Sequence, residues 1–265
     1  MSIFFGFTVF ILGLFIGSFL NVLIDRLPRG EKITGRSYCE NCKKTLSWKD
    51  LIPVLSFVYL KGRCRYCHNP LSYQYPLVEL LTGILFVFTI YYLPFTNLST
   101  NYLMSSIYYL IIVSSMVVVF FADLKYGIIP DKIIVSTVFV SLAYIIISTF
   151  YPLVSNVPLS ILNHLLSAVG SFVFFLLIFL ITKGKGMGFG DVKLSFLLGL
   201  ILGFPGVALA LYIAFLTGGV VGFILILWKK KSMKFAVPFG PFLVLGALIS
   251  LFFQDQIITR IMQLF

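Results

Sequence analysis

Long apolar runs alternate along this chain with short stretches that hold nearly all of its charge. The runs cover residues 3–24, 76–93, 102–121, 133–150, 160–182, 192–203, 207–228 and 239–254. A helix crossing a bilayer needs about 20 largely apolar residues, because no water reaches its backbone there. The pattern therefore predicts about eight transmembrane helices. The 192–203 run is short for a crossing, so its helix tilts or begins inside a cavity. Unbroken apolar runs also exclude an outer-membrane barrel, whose strands alternate apolar and polar positions.

Charge orients these spans. Nineteen of the twenty Lys and Arg residues fall in four stretches: 26–65, 125–132, 183–193 and 229–234. The connections at 94–101, 151–159 and the Phe204-Pro205-Gly206 turn carry none. Basic and neutral connections alternate strictly, so the positive-inside rule places both termini outside and the four basic stretches in the cytoplasm. The first run has its charges after it, at Arg26 and Arg29, and no small-residue cleavage site, so it reads as an N-out anchor rather than a cleaved signal peptide. With 60% hydrophobic and 11% charged residues, the chain lies far from the about 25% charged content of soluble domains. The net charge of +11 is then a topology signal and an attraction to anionic membrane lipid, not a nucleic-acid footprint.

All four cysteines sit in the first large loop, as Cys39-x-x-Cys42 and Cys64-x-x-Cys67 with twenty-one residues between the pairs. Such knuckles suit a tetrahedral thiolate zinc site, and a reducing compartment disfavours disulfides. A loop of this size has little core, so a metal staple makes physical sense. The Cys64-Arg65-Tyr66-Cys67-His68 stretch also fits haem attachment, but that chemistry belongs on the other side of the membrane and leaves Cys39 and Cys42 idle. His68 reads as a bystander, and His164 as a lone histidine at the outer end of a span.

Nine acids remain to be placed. Asp25, Glu31, Glu40 and Asp50 are read as solvated loop residues, and Asp255 lies near the C-terminus. Glu79, Asp123, Asp131 and Asp191 lie at or in membrane segments, where an ionisable group is costly and hence a functional candidate. Asp123 closes the third span, and Asp191 follows Gly184, Gly186, Gly188 and Gly190 at the start of the short sixth span. The inferred topology brings both to the same side at similar depth. Two carboxylates that meet share one proton, so one activates water while the other donates to a scissile carbonyl. Helix dipoles favour the charge on Asp191, at a helix N-terminus, and the proton on Asp123, at a helix C-terminus.

These residues resemble a known family. Gly188-Phe189-Gly190-Asp191 matches the GxGD signature of intramembrane aspartyl proteases. The longer GMGFGDVKL stretch is similar to the bacterial type 4 prepilin peptidases, as are Gly17-Ser18-Phe19-Leu20-Asn21-Val22 with Arg26-Leu27-Pro28-Arg29, WKDLIP from Trp48, the two cysteine pairs, Tyr75-Pro76-Leu77-Val78-Glu79, ADLKYGIIPD and Pro238-Phe239-Gly240-Pro241. The resemblance implies an all-α polytopic protein of the bacterial cytoplasmic membrane with a small cytoplasmic zinc loop held by the four cysteines. It implies Asp123 and Asp191 as the catalytic pair, with Gly188, Gly190 and Asp131 in positioning roles. The implied substrates are type IV prepilins or pseudopilins, which lose a short basic leader at the cytoplasmic face. Many members also methylate the new N-terminus using S-adenosylmethionine, an activity associated with the N-terminal part. The division is then 1–75, first helix and zinc loop, and 76–265, aspartyl peptidase. Gly62 and Glu79 are candidates for the cofactor or amine site, beside plain readings as a turn glycine and an interfacial acid. A peptidase without methyl transfer, a proton-coupled transporter using the same aspartates, and a zinc-loop scaffold are the alternatives. The transporter reading expects inverted repeats, which the sequence lacks.

Overall fold

The computed structural model describes residues 3–92, 100–150, 161–227 and 238–263. Most of the 94–101 connection, all of 151–159 and the 229–234 basic cluster lie outside the described residues. The described residues form α1 (Ile3–Arg26), a 3-10 turn (Trp48–Leu51), α2 (Leu55–Tyr59), α3 (Gln74–Tyr92), α4 (Thr100–Tyr126), α5 (Asp131–Phe150), α6 (Ile161–Ile181), α7 (Phe189–Leu227) and α8 (Gly240–Met262), with no strand among them. All the α-helices except α2 are long and apolar enough to cross a membrane, which gives seven candidate spans among the described residues. The chain is a polytopic helical membrane protein carrying a four-cysteine loop.

The eight predicted runs and the seven long helices are reconciled inside α7. Its 39 residues would extend about 58 Å if straight, nearly twice the roughly 30 Å hydrocarbon core. Helical geometry breaks at Gly203 (φ 65°, ψ −178°) and Phe204 (φ −92°, ψ 137°). The first of these lies where only glycine sits without strain. Before the break, Ser171 and Ser195 exchange hydroxyl-to-carbonyl hydrogen bonds of 2.8 and 3.2 Å, and Gly203 lies beside His164. That half therefore runs antiparallel to α6. One turn beyond Ser171, Phe175 packs on Phe215, ring centroids 5.8 Å apart. The chain has thus returned along α6 after the break, so α7 is a helical hairpin. Its first limb, at 14 residues to position 202, is the short span the sequence announces.

The break frees backbone groups, and α6 satisfies them. The Phe204 N–H, which an unbroken helix would give to Leu200, goes to Asn163 Oδ1 (3.2 Å), while the Asn163 amide donates to the Phe204 carbonyl (3.0 Å). The Leu200 carbonyl instead accepts from His164 Nδ1 at 2.8 Å, so that nitrogen carries the proton. His164 is therefore partnered, contrary to the expectation of a lone histidine. Its partner is a carbonyl that only a helix break exposes, and no residue pattern marks it. Asn163→Ala strands both Phe204 groups. Because Phe204 is exposed and water can take over, the substitution is expected to cost only about 0.5–1.5 kcal/mol of stability and to speed hydrogen exchange at residue 204, read by thermal unfolding in detergent and by exchange mass spectrometry.

The helices fall into two compact units. The first comprises Met1–Pro94 with Tyr109–Val118, and the second Phe95–Tyr108 with Val119–Phe265. In the first, α1 and α3 pack antiparallel through small residues: a Cβ on Gly13 would lie 2.6 Å from the Gly83 backbone, and one on Gly17 2.7 Å from that of Glu79. Between helices in lipid, close backbone approach replaces the hydrophobic drive available in water. The second unit uses the same device, with Gly199 against Ser167 and Ala168 of α6, and Gly246 of α8 against Ala210 of α7. A ring cluster of Phe175, Phe215 and Phe239 joins α6, the returning limb of α7 and the entry to α8.

Candidate active site and metal centre

Asp123 sits in the last turn of α4, which Gly127 closes at φ 64° by donating its N–H to the Asp123 carbonyl (2.8 Å). Asp191 sits in the first turn of α7, after the glycine-rich turn. Both are buried, at 5% and 6% exposure, and they lie close enough for one charge to act on the other. The carboxylates are held alike. Asp191 Oδ2 accepts the Gly188 N–H (3.2 Å), and Asp123 Oδ2 accepts the Gly240 N–H (2.9 Å).

Gly240 is the first residue of α8, so Asp123, though at the C-terminus of its own helix, faces the N-terminus of another. This contact removes the basis for the dipole difference expected between the two aspartates. A Cβ at position 240 would lie 2.5 Å from Asp123 Oδ2, so no other residue permits this approach without a shift. Gly240 belongs to the Pro-Phe-Gly-Pro stretch of the family resemblance, but nothing in that stretch marks it as a partner of Asp123.

The ADLKYGIIPD and GMGFGDVKL segments meet directly. Gly190 backs onto Ile129, whose Cβ would be 3.2 Å from an added methyl, and Lys193 Nζ pairs with Asp131 Oδ1 at 2.7 Å. Asp131 is thus exposed at the start of α5 and bonded to the helix that carries Asp191, two residues from it. Lys193 was missed as a site residue. Its place two positions after Asp191, with a lone acid, Asp131, opening the helix that follows Asp123, was the available signal.

In the cysteine loop one turn occurs twice. Lys43 N–H bonds the Cys39 carbonyl (2.9 Å) and Cys39 N–H the Lys44 carbonyl (3.0 Å); His68 and Cys64 repeat the first bond (3.0 Å), Cys64 and Asn69 the second (2.9 Å). Lys43 and His68 also share a positive φ, 57° and 56°. His68 is a turn residue, as expected of a bystander. The four Sγ atoms lie within 4.8 Å of one another, and Cys39 and Cys67 are 3.8 Å apart. A tetrahedral zinc with Zn–S of about 2.3 Å requires S···S separations of about 3.8 Å, so the cluster is compatible with zinc. A hydrogen bond from the Asn69 backbone, helped by Asn41, holds the Cys67 thiol down to about 6, close to the thiolate a metal takes.

Two loop acids are not simply solvated. Asp50 has a side chain only 3% exposed and pairs with Arg65 at 2.6 Å. Burial opposes its ionisation, but bonds from the Ser47 hydroxyl, Arg65 and the Ser47 N–H outweigh this and keep the carboxyl below its ordinary range. Asp25 is buried at the end of α1 and accepts the Tyr75 hydroxyl (3.3 Å). Nearby, Asn21 donates to the Tyr75 carbonyl (3.1 Å) while its Oδ1 is buried without a partner, as is Nε2 of Gln74. Glu79, also buried, accepts the Val54 N–H (2.7 Å) and the Ser18 hydroxyl. Gly62, at φ 68°, turns the chain after α2.

The family described as bacterial peptidase A24 N-terminal domain matches residues 11–93, and the type IV leader peptidase family matches residues 110–223. A prepilin leader peptidase/N-methyltransferase of Legionella pneumophila is 32% identical over 96% of this chain and 94% of its own. Proteins of the same description from Aeromonas salmonicida (strain A449; 31%, covering 94% and 91%) and Bacillus subtilis (strain 168; 29%, covering 95% of each) are similar over nearly the whole length. No solved structure matches the chain. Its membrane helices, its four-cysteine loop and these full-length similarities make the chain a multi-pass membrane peptidase belonging to the type IV leader peptidase family.

Proposed function

We propose that this enzyme removes the basic leader of type IV prepilins or pseudopilins with Asp123 and Asp191, at the cytoplasmic face of the inner membrane. Both termini then lie outside and the cysteine loop inside, as the basic stretches require. The observation that carries the reading is the two buried aspartates, each with its carboxylate fixed by one backbone N–H from a glycine at or beside a helix N-terminus. One carboxylate takes a proton from water as the oxygen attacks the scissile carbonyl, and the other gives its proton to the carbonyl oxygen. The gem-diol collapses as a proton passes to the leaving amine, and the pair returns to its single shared proton. Gly188 and Gly240 keep the carboxylates oriented, Gly190 allows close packing on Ile129, and the Asp131–Lys193 pair ties α5 to α7 beside Asp191.

The second activity, methylation of the new N-terminus, is assigned to the N-terminal part, residues 1–75, with Glu79 contributed from the start of the 76–265 part. S-adenosylmethionine supplies a methyl group on a positively charged sulfur. The end of α1 and the start of α3 fit it: the buried acids Asp25 and Glu79 suit its cationic centre and the acceptor amine, and Asn21 Oδ1 and Gln74 Nε2 are unpaired polar atoms for its amino-acid end. Glu79 is placed to take the proton released when the amine is methylated, and Gly62 shapes the loop above α3. The zinc, held by Cys39, Cys42, Cys64 and Cys67, is structural, because four thiolates leave no position for water.

The test is purified enzyme with a prepilin substrate, with and without S-adenosylmethionine, read by intact mass. Loss of the leader without the cofactor, and one added methyl on the mature N-terminus with it, is the expected result. Cleavage with no methyl gain in either condition leaves a peptidase alone. An uncut panel of prepilins and pseudopilins defeats the proposal.

A further inference from the structure

Residues 48–63 of the cysteine loop carry an apolar surface that the described residues leave uncovered. Trp48, Leu55, Val58 and Tyr59 are between 66% and 79% exposed, and Leu51 is 40% exposed. Leu162 (67%) and Ile181 (79%), on the membrane helix α6, are no more open. Phe57 faces the other way, against Tyr73 and Gly62. The short α2 is therefore two-sided, with its outer face as apolar as a lipid-facing one.

Its depth is set by one hydrogen bond. The Val54 N–H, immediately before α2, donates to Glu79 Oε2 at 2.7 Å. Glu79 lies five residues past Gln74, the start of the α3 span, or about 7 Å along the helix. Even with the side chain leaning toward the N-terminus, α2 begins level with the first turns of α3. Headgroup layers are roughly 5–7 Å thick on each side. Val54 is held there at φ 60°, ψ −49°, a strained conformation for a β-branched residue. Basic groups rim the face. Lys49, Lys61 and Arg63 are exposed, and an open cleft of about 560 Å³ is lined by Tyr59, Lys61, Arg63, Arg65 and His68. An apolar face with aromatic and cationic flanks, held at interfacial depth, has the composition of an in-plane membrane anchor.

We propose that residues 48–63 seat in the membrane surface, with Trp48, Leu51, Leu55, Val58 and Tyr59 in the headgroup–acyl boundary and Lys49, Lys61 and Arg63 on the phosphates of anionic lipid. The metal-binding loop is then docked on the bilayer rather than suspended from its two spans. This inference does not depend on the peptidase chemistry.

Trp48 reports on it directly. The chain has two tryptophans, so Trp228→Phe leaves Trp48 as the sole emitter. In vesicles of phosphatidylcholine and phosphatidylglycerol, lipid brominated near the headgroup is expected to quench most of its emission, and aqueous acrylamide little. Val58→Asp with Tyr59→Asp, both exposed and so compatible with folding, reverses this order while circular dichroism stays unchanged. Omitting phosphatidylglycerol weakens the lipid quenching, free phosphate does not restore it, and Lys61→Glu with Arg63→Glu removes the difference between the two lipid mixtures. Free access of acrylamide to Trp48 in both mixtures overturns the proposal. So does quenching that comes only from a spin-labelled prepilin segment, which marks the face as a substrate site.

Discussion

Asp123→Asn and Asp191→Asn are each expected to abolish leader cleavage while the protein still folds and binds its substrate. Asparagine keeps the size of the side chain and can still accept the N–H from Gly240 or Gly188. It cannot take a proton from water or share one with its neighbour. General acid–base groups contribute about 10²–10⁴-fold, and both functions fail when either partner is lost, so a fall of about 10³-fold or more in kcat/KM is expected, about 4 kcal/mol at the transition state. The double variant falls little further, because the two carboxylates act as a unit. Initial rates on a prepilin substrate decide it: cleavage by both single variants at the unaltered rate sinks the assignment.

Gly240→Ala separates positioning from chemistry in the same assay. The added methyl must displace the Asp123 carboxylate or the start of α8, since it would sit 2.5 Å from Oδ2. Misplacement by about 1 Å costs about 10²-fold, so kcat falls by that order with KM nearly constant. Gly219→Ala is the matched control, because a Cβ there meets nothing within 4 Å.

What the sequence made legible follows from which physical signals are periodic or local. Long apolar runs announce the spans because a bilayer enforces helix and length together. The hairpin inside α7 was visible in the Phe204-Pro205-Gly206 turn, with helical residues running close up to it on both sides. The convergence of Cys39, Cys42, Cys64 and Cys67 was legible because two C-x-x-C pairs have the spacing of a four-ligand site, and spacing alone groups them. Contacts made across the fold were not. Gly240 meeting Asp123, Asn163 and His164 closing the α7 break, and Lys193 reaching Asp131 each depend on which helices are neighbours. Asp25 and Asp50 were misread as solvated for a related reason: each adjoins a basic residue, Arg26 or Lys49, but Tyr75 at the start of α3 and Arg65 of the second knuckle arrive from elsewhere in the chain to bond them.

Removing the metal is expected to unfold the cysteine loop while the membrane helices stay intact. Of residues 27–73, only Cys39, Pro53 and Cys64 are buried, so the loop has no hydrophobic core of its own. Two isolated bridges, Tyr38 with Thr45 and Arg63 with Pro70, are too short to hold it, and the Arg29–Glu40 ion pair is exposed and worth about 1 kcal/mol or less. Structural zinc supplies about 10–16 kcal/mol of apparent binding energy in small zinc-dependent folds, which dominates every other contact here. Elemental analysis is expected to find one zinc per chain, lost in Cys39→Ser or Cys64→Ser. Trypsin then cuts at Lys43 and Lys44, which the intact knuckle protects through the Lys43 N–H and Lys44 carbonyl bonds to Cys39. Helix content by circular dichroism changes little, because α1 and α3 pack through Gly13, Gly17 and Gly83 rather than through the loop. A metal-free protein as resistant to trypsin as the purified enzyme would show that the four thiols have no structural task.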